Sequence, residues 1–340
     1  MDLKTVRSLK AEIASEIIRP LVSEIRSEAR IVRSTATRRL TGVEGGIALG
    51  IAAGEGKNDY RLAVRVQRRA LENNARLREQ IEEAARHKAD ITYIGTVFKG
   101  GAVAAPAALP WHQLRQRPLL IGCSIGHYSI TAGTLGGFAH HVESGKTVIL
   151  SNNHVLANEN KAKVGDAILQ PGSYDGGKKN KDKVGALLGF VPVTAGTNNL
   201  VDAAVASIDE GIEFDAVTLT GAGKLKGLRK TPLRPGDKVF KVGRTTGVTQ
   251  GIVTAIEVDD VVVSYEMGEL SFDSQIEIQT SGSGPFSSGG DSGSVIMDEK
   301  GYACALLFAG SDQGGSNGKG VTFANDLSIV LKQLGLTFEV

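Results

Sequence analysis

Gly289-Gly290-Asp291-Ser292-Gly293-Ser294 is the stretch on which the reading of this chain turns. With a glycine two residues before the serine and another directly after it, the backbone can turn sharply and leave the Ser292 hydroxyl exposed. The N–H groups of Gly290 and Ser292 can then aim at one point, where an oxyanion would form. Alone, a glycine–serine cluster reads as a plain loop. It gains meaning from two residues upstream. His154 lies in Ser151-Asn152-Asn153-His154-Val155-Leu156-Ala157, directly after the apolar strand Thr147 to Leu150. A histidine at a strand end can be held in one orientation, as a general base must be. Asp202 enters the apolar run Val201 to Ala206. A carboxylate there is costly unless paired, and a donating imidazole N–H would offset that cost. The rival acid, Asp166, is only 166 − 154 = 12 residues from the histidine, and Gly165-Asp166 reads better as a turn.

The order His, Asp, Ser, with spacings of 202 − 154 = 48 and 292 − 202 = 90, resembles the bacterial type of chymotrypsin-like (trypsin-fold) serine protease. Subtilisins and α/β-hydrolases use other orders. Gly243-Arg244-Thr245-Thr246-Gly247 resembles a further motif of bacterial members such as the α-lytic protease group. The resemblance covers residues 119–340. It implies a mostly β fold, a double six-stranded antiparallel β-barrel, here preceded by an N-terminal helix and a small α/β (ββαβ) domain. It implies Ser292 as nucleophile, His154 as general base and then acid, and Asp202 as the orienting carboxylate. Gly290 and Ser292 would form the oxyanion hole, and no cofactor or metal is needed. It further implies that Asp291 is buried behind the oxyanion loop and neutralised internally by Arg244, since no Arg/Lys-Ile-Val-Gly-Gly activation sequence is present. The base of the specificity pocket falls on Phe286, six residues before the nucleophile. The absence of an aspartate there removes a trypsin-like preference. Phe308 and Gly310, on the strand Ala305 to Gly310, are expected to line the pocket and pair with substrate backbone. The usual cysteine beside the histidine is missing.

Composition agrees with a turn-rich β protein. The 340 residues include 43 glycines, and aromatic residues make up 5%. A net charge of +2 implies no polyanion partner. The lysines 178, 179, 181 and 183 have no interleaved aromatics and read as a solvated loop tip, so no nucleic-acid partner is expected. No apolar run approaches the roughly 18 residues of a membrane span, and Met1 to Arg33 lacks a signal-like apolar core. The expectation is a cytoplasmic protein without a membrane partner. Cys123 and Cys304 read as buried thiols, a disulfide between them remaining open. His140 and His141 read as a strand-end turn, with no metal-ligand spacing around them.

Four segments are expected. Residues 1–42 form a helical segment, with Ile13, Ile17, Leu21 and Ile25 on one stripe and Pro20 expected to kink the helix or start a second one. Residues 43–98 form the α/β adapter: strands at 46–52, a half-buried 62–66 and 91–98, and a helix at 69–88. Residues 99–118 are a Gly/Ala/Pro-rich linker whose Trp111 docks on a neighbouring surface. Residues 119–340 form the protease-like domain, closed by a helix over 325–334 with Asn325 as its N-cap. Two classes of function follow: an endopeptidase acting on a protein or peptide substrate, regulated by a protein partner or by its own N-terminal part, or a silent or occluded protease fold serving as a binding scaffold.

Overall fold

The computed structural model describes residues 1–21, 23, 46–99 and 109–338. The expected helix beyond residue 23, with Ile25, and linker residues 100–108 lie outside the described residues.

The helix α1 (Leu3–Ile13) starts at Asp2, whose carboxylate accepts from Thr5 N. Its Val6 and Ile13 pack on the strands β1 (Ile47–Ala53) and β2 (Tyr60–Val66). The apolar stripe therefore packs on the chain itself. Just before Pro20 the helix widens to a π turn over Ala14–Ile18, where Arg19 N–H donates to Ala14 O, five residues back, and residues 19–21 continue it as α-helix. The wider turn lies just where a proline ring meets the carbonyl four residues before it. The helix expected at 69–88 is two, α2 (Arg69–Glu72) and α3 (Ala75–Ala84), because Asn74 stops one and caps the next by accepting from Leu77 N. β3 (Ala89–Tyr93) returns parallel to β2, completing the ββαβ order. The strand expected over 91–98 is interrupted. β4 (Val97–Lys99) leaves this unit for a different part of the sheet.

The first barrel-like layer is built from β5 (Ser124–His127), β6 (Gly133–Thr134), β7 (Gly137–His141), β8 (Lys146–Ser151), β9 (Ala167–Leu169), β10 (Lys183–Phe190) and β11 (Ala204–Ala206). Its ladder runs β7-β8-β11-β10-β9-β5-β6, antiparallel throughout. It is a half-barrel. Between β6 and β7 the gap is bridged by single bonds, Leu135 N to Cys123 O and Gly136 N to Leu150 O. The α4 turn (Asn153–Leu156) follows β8 directly.

The second layer contains β12 (Lys238–Gly243), β13 (Gly247–Asp259), β14 (Val261–Tyr265), β15 (Gly268–Phe272), β16 (Gln275–Thr280), β17 (Val295–Asp298), β18 (Ala303–Gly310) and β19 (Thr322–Asp326). Six of these close a barrel in the cycle β12-β13-β16-β19-β18-β17 and back to β12. The expected two-barrel arrangement is thus present with one member closed and one open. The hairpin β14–β15 stands outside the cycle. The ladder β13-β1-β2-β3 joins the α/β unit to the closed barrel as one sheet. Arg65, expected on an exposed face of β2, is buried instead, between Glu277 of β16 and Asp90 of β3. The second barrel covers what would otherwise be the wet face of that strand. The final helix α5 (Leu327–Leu334) is capped by Asp326, not Asn325, because the Asn325 side chain is engaged at the cleft. Trp111 packs against the half-barrel core.

Candidate active site

Helix α4 carries His154 at the end of β8, with the asparagines around it acting as anchors. Asn152 Nδ2 donates to Asp202 O at 2.6 Å, and Asn153 Nδ2 donates to Val191 O at 2.7 Å. His154 Nδ1 lies 2.6 Å from Asp202 Oδ2, and His154 N donates to Asp202 Oδ1 at 3.2 Å. Both carboxylate oxygens therefore hold one histidine. Asp166, the rival acid, faces His127 at 3.2 Å.

Asp202 is fully buried. Burial alone would raise its carboxyl, but the His154 ring, the Tyr265 hydroxyl and the His154 amide together hold it below the ordinary value. An ionised Asp202 requires Nδ1 to carry the proton, leaving Nε2 as the acceptor. Tyr265 Oη donates to Asp202 Oδ2 at 2.5 Å, and Asp202 N donates to Asn325 Oδ1 at 2.9 Å. Burial and the Asp202 charge push the Tyr265 hydroxyl well above its usual value, so it stays a donor. Tyr265 escaped the sequence reading. It comes from the β14–β15 hairpin, and nothing local in Val261 to Tyr265 distinguishes it from an ordinary strand aromatic.

The loop bearing Ser292 is fixed between the two layers. Thr134 N donates to Ser292 O at 2.8 Å, and Gly293 N donates to Leu307 O at 2.9 Å. Gly133 is the contact point: a Cβ there would lie 2.4 Å from Val155 Cγ2 and 3.0 Å from Ser292 O. Only a glycine lets the histidine turn and the serine loop approach so closely. Ser292 is 3% exposed rather than open, and its Oγ donates to Phe308 O at 3.2 Å. Among the described residues this is its one side-chain hydrogen bond, so the serine and histidine are not bonded to each other. Gly290 has φ +93°. Neither Gly290 N–H nor Ser292 N–H donates to an acceptor among the described residues.

The expected Asp291–Arg244 pair is not formed. Arg244 Nε donates to Asp175 Oδ2 at 2.8 Å, and its Nη2 contacts Asp175 Oδ1. Asp291 takes Thr245 N, Thr246 N, Thr246 Oγ1 and Ser288 N, with Lys241 Nζ at 3.5 Å. Lys241 and Asp291 are both fully buried. Burial pushes the Lys241 ammonium down, and the Asp291 charge opposes that. The loop Gly243 to Gly247 thus binds the aspartate with its threonines, while its arginine points the other way. Lys241 had a legible signal, a lysine inside the apolar strand Val239 to Val242.

A cavity of about 440 Å³ lies beside Ser292, lined among others by Phe98, Pro285, Ser287, Leu307, Ala309 and Gly310. Of the expected pocket residues only Gly310 lines it. Phe286 is buried in the closed-barrel core with Val239 and Val253, and Phe308 packs against Phe272 with tilted rings, centroids 4.7 Å apart. For Phe308 the reason is strand alternation: Leu307 and Ala309 flank it on β18 and face the cavity, so its ring faces the core. Phe286 lies in the loop between β16 and β17, whose Pro285 and Ser287 line the cavity while its ring is buried. Cys123 and Cys304 are buried and unpaired, burial pushing the Cys123 thiol up to about 12. Among the described residues no group of three His, Cys, Asp or Glu side chains is placed to hold a metal. No helix among them is long and apolar enough to cross a membrane.

No protein-family model matches the chain. No curated protein matches it. Solved structures do. Thermobifida fusca protease A is 16% identical, with 65% of this chain and 98% of that one covered and a TM-score of 0.46. A Nocardiopsis protease is 19% identical, with 65% and 99% covered and a TM-score of 0.46. The Cellulomonas bogoriensis chymotrypsin is 17% identical, with 64% and 97% covered and a TM-score of 0.44.

Proposed function

We propose that the chain is a serine endopeptidase that cleaves protein or peptide substrates through an acyl-enzyme. The observation that carries this reading is the His154–Asp202 pair at 2.6 Å, backed by the Tyr265 hydroxyl, on a histidine turn that meets the Ser292 loop at Gly133. In the proposed reaction Ser292 Oγ turns from Phe308 O to His154 Nε2 and gives up its proton there as it attacks the scissile carbonyl carbon. The oxyanion settles on the Gly290 and Ser292 N–H groups, which have no other acceptor among the described residues. Collapse breaks the C–N bond, and His154 returns the proton to the leaving amine. Water, deprotonated by His154, then releases the acid and restores Ser292.

Lys241 and the threonines of the Gly243 to Gly247 loop hold Asp291, so the serine loop is anchored without a newly cut N-terminus. A fluorophosphonate probe tests the reading. Wild-type protein should be labelled, and Ser292→Ala and His154→Ala should not. Absence of labelling both in folded wild-type protein and in folded variants whose β4 is displaced would favour the other reading, an occluded binding scaffold. The bond from Ser292 to Phe308 O and the presence of β4 beside the cleft support that alternative.

A further inference from the structure

β4 (Val97–Lys99) pairs antiparallel with β18, Gly310 opposite Phe98 and Ala309 opposite Lys99, and parallel with β14 on its other side. The order of those partners gives β4 a direction. From Phe98 to Lys99 the opposing residue falls from 310 to 309, toward Phe308, whose carbonyl holds the Ser292 hydroxyl. Phe98 is 44% exposed although it is apolar, and it lines the same cavity as Ser292. An extended segment that pairs with a strand and runs along it toward a nucleophile is how a peptide substrate would lie.

We propose that β4 occupies the place of a substrate strand, and that Lys99 fills a subsite for a substrate lysine built on Glu159. The purpose of the groove rests on the peptidase reading; its capacity to bind a strand does not.

Glu159 is five residues beyond His154 and 2% exposed. The Lys99 ammonium contacts its carboxylate directly, lies 3.9 Å from Glu266 Oε1, and is 5.8 Å from the Tyr265 ring centroid. Glu159 is aimed there by its own supports. Its two oxygens accept Glu266 N and Met267 N, each at 3.2 Å. Asn158, Glu159 and Asn160 all have positive φ, 48°, 53° and 66°, an arrangement that non-glycine residues adopt only where the surroundings enforce it. Burial pulls the Lys99 ammonium down while Glu266 and Asp202 oppose the fall. With Lys99 gone, the buried Glu159 carboxylate would keep two backbone N–H donors but lose its contacting cation, and would select another. The substrate class is therefore a strand carrying lysine at Lys99's register, after an apolar residue, and the chain blocks its own groove until β4 is displaced.

The test reads binding alone, in Ser292→Ala protein, by anisotropy of fluorescein-labelled Ala-Val-Phe-Lys-amide and of the same peptide with alanine for lysine. Lys99→Glu sets a carboxylate against Glu159, and Phe98→Pro removes an N–H from β4; the two expel the strand by different means. Each should bind the lysine peptide about tenfold more tightly than the parent, and the alanine peptide about tenfold more weakly than the lysine one, as loss of a charge-assisted bond implies. Adding Glu159→Gln should erase the difference between peptides. Folded variants that bind no better than the parent, or bind both peptides equally, would overturn the proposal. Failure of both to fold would do so too, by making β4 a permanent strand. Fluorophosphonate labelling of the Ser292-containing proteins separates the two ideas. Binding without labelling would sink the peptidase alone, and labelling without improved binding would sink this inference alone.

Discussion

Asp202 and Asp291 are both buried acids, and each is held by a residue that sequence order did not single out. For Asp202 that residue is Tyr265. Its hydroxyl helps to keep the carboxyl below the ordinary value, so the stability this pair contributes is present above the unfolded-state value and is lost as pH falls through the lower folded-state one. Tyr265→Phe removes a donor and keeps the ring packed on Phe272. It should cost about 1.5–3 kcal/mol at neutral pH and move the acid unfolding midpoint upward. An unchanged midpoint in a pH titration followed by circular dichroism would count against that role. For Asp291 the residue is Lys241. Lys241→Met leaves a buried carboxylate with dipolar donors only and should destabilise by about 3 kcal/mol, with fluorophosphonate labelling lost in step. Arg244→Ala should lower stability through Asp175 and leave labelling in place. Urea unfolding and probe labelling of both variants decide between the two ion pairs; the reverse pattern would reinstate Arg244.

Elements show where local pattern sufficed and where it did not. The strands at Lys146–Ser151, Lys238–Gly243 and Val261–Tyr265 fall where the apolar runs place them. Asn74 divides a predicted helix because its side chain offers a cap that no apolar periodicity reports. The 91–98 run is apolar enough for one strand, yet Ile94 to Thr96 carries the chain from one sheet neighbourhood to another, with Gly95 at φ +69°. That transfer creates β4, the element behind the substrate-strand proposal. Pocket residues failed for a simpler reason. Counting back six from Ser292 finds Phe286, but that residue sits in the loop between β16 and β17, where its ring is drawn into the core while Pro285 and Ser287 line the cavity.

At the scale of the whole molecule, the α/β unit and the closed barrel share one sheet, pinned by a buried ion pair. Arg65 Nε is 2.6 Å from Glu277 Oε2, both residues being almost wholly enclosed. Arg65→Ala would strand Glu277 in the interior and should cost about 3–5 kcal/mol, whereas replacing both by apolar residues, Arg65→Met with Glu277→Leu, should recover most of it. Urea unfolding of the two proteins checks this, and equal midpoints for wild type and Arg65→Ala would refute it. Local periodicity, glycines at a tight loop and chain order made the barrel strands and the ββαβ order legible, and named His154, Asp202 and Ser292 as candidates for a triad. What the folded chain added is that Lys241 faces Asp291, that Tyr265 donates to Asp202, that Arg65 is interior and that β4 lies along β18. Each of these joins residues far apart in the chain, and long-range pairing of charges and strand edges leaves no periodic trace in either partner's own neighbourhood.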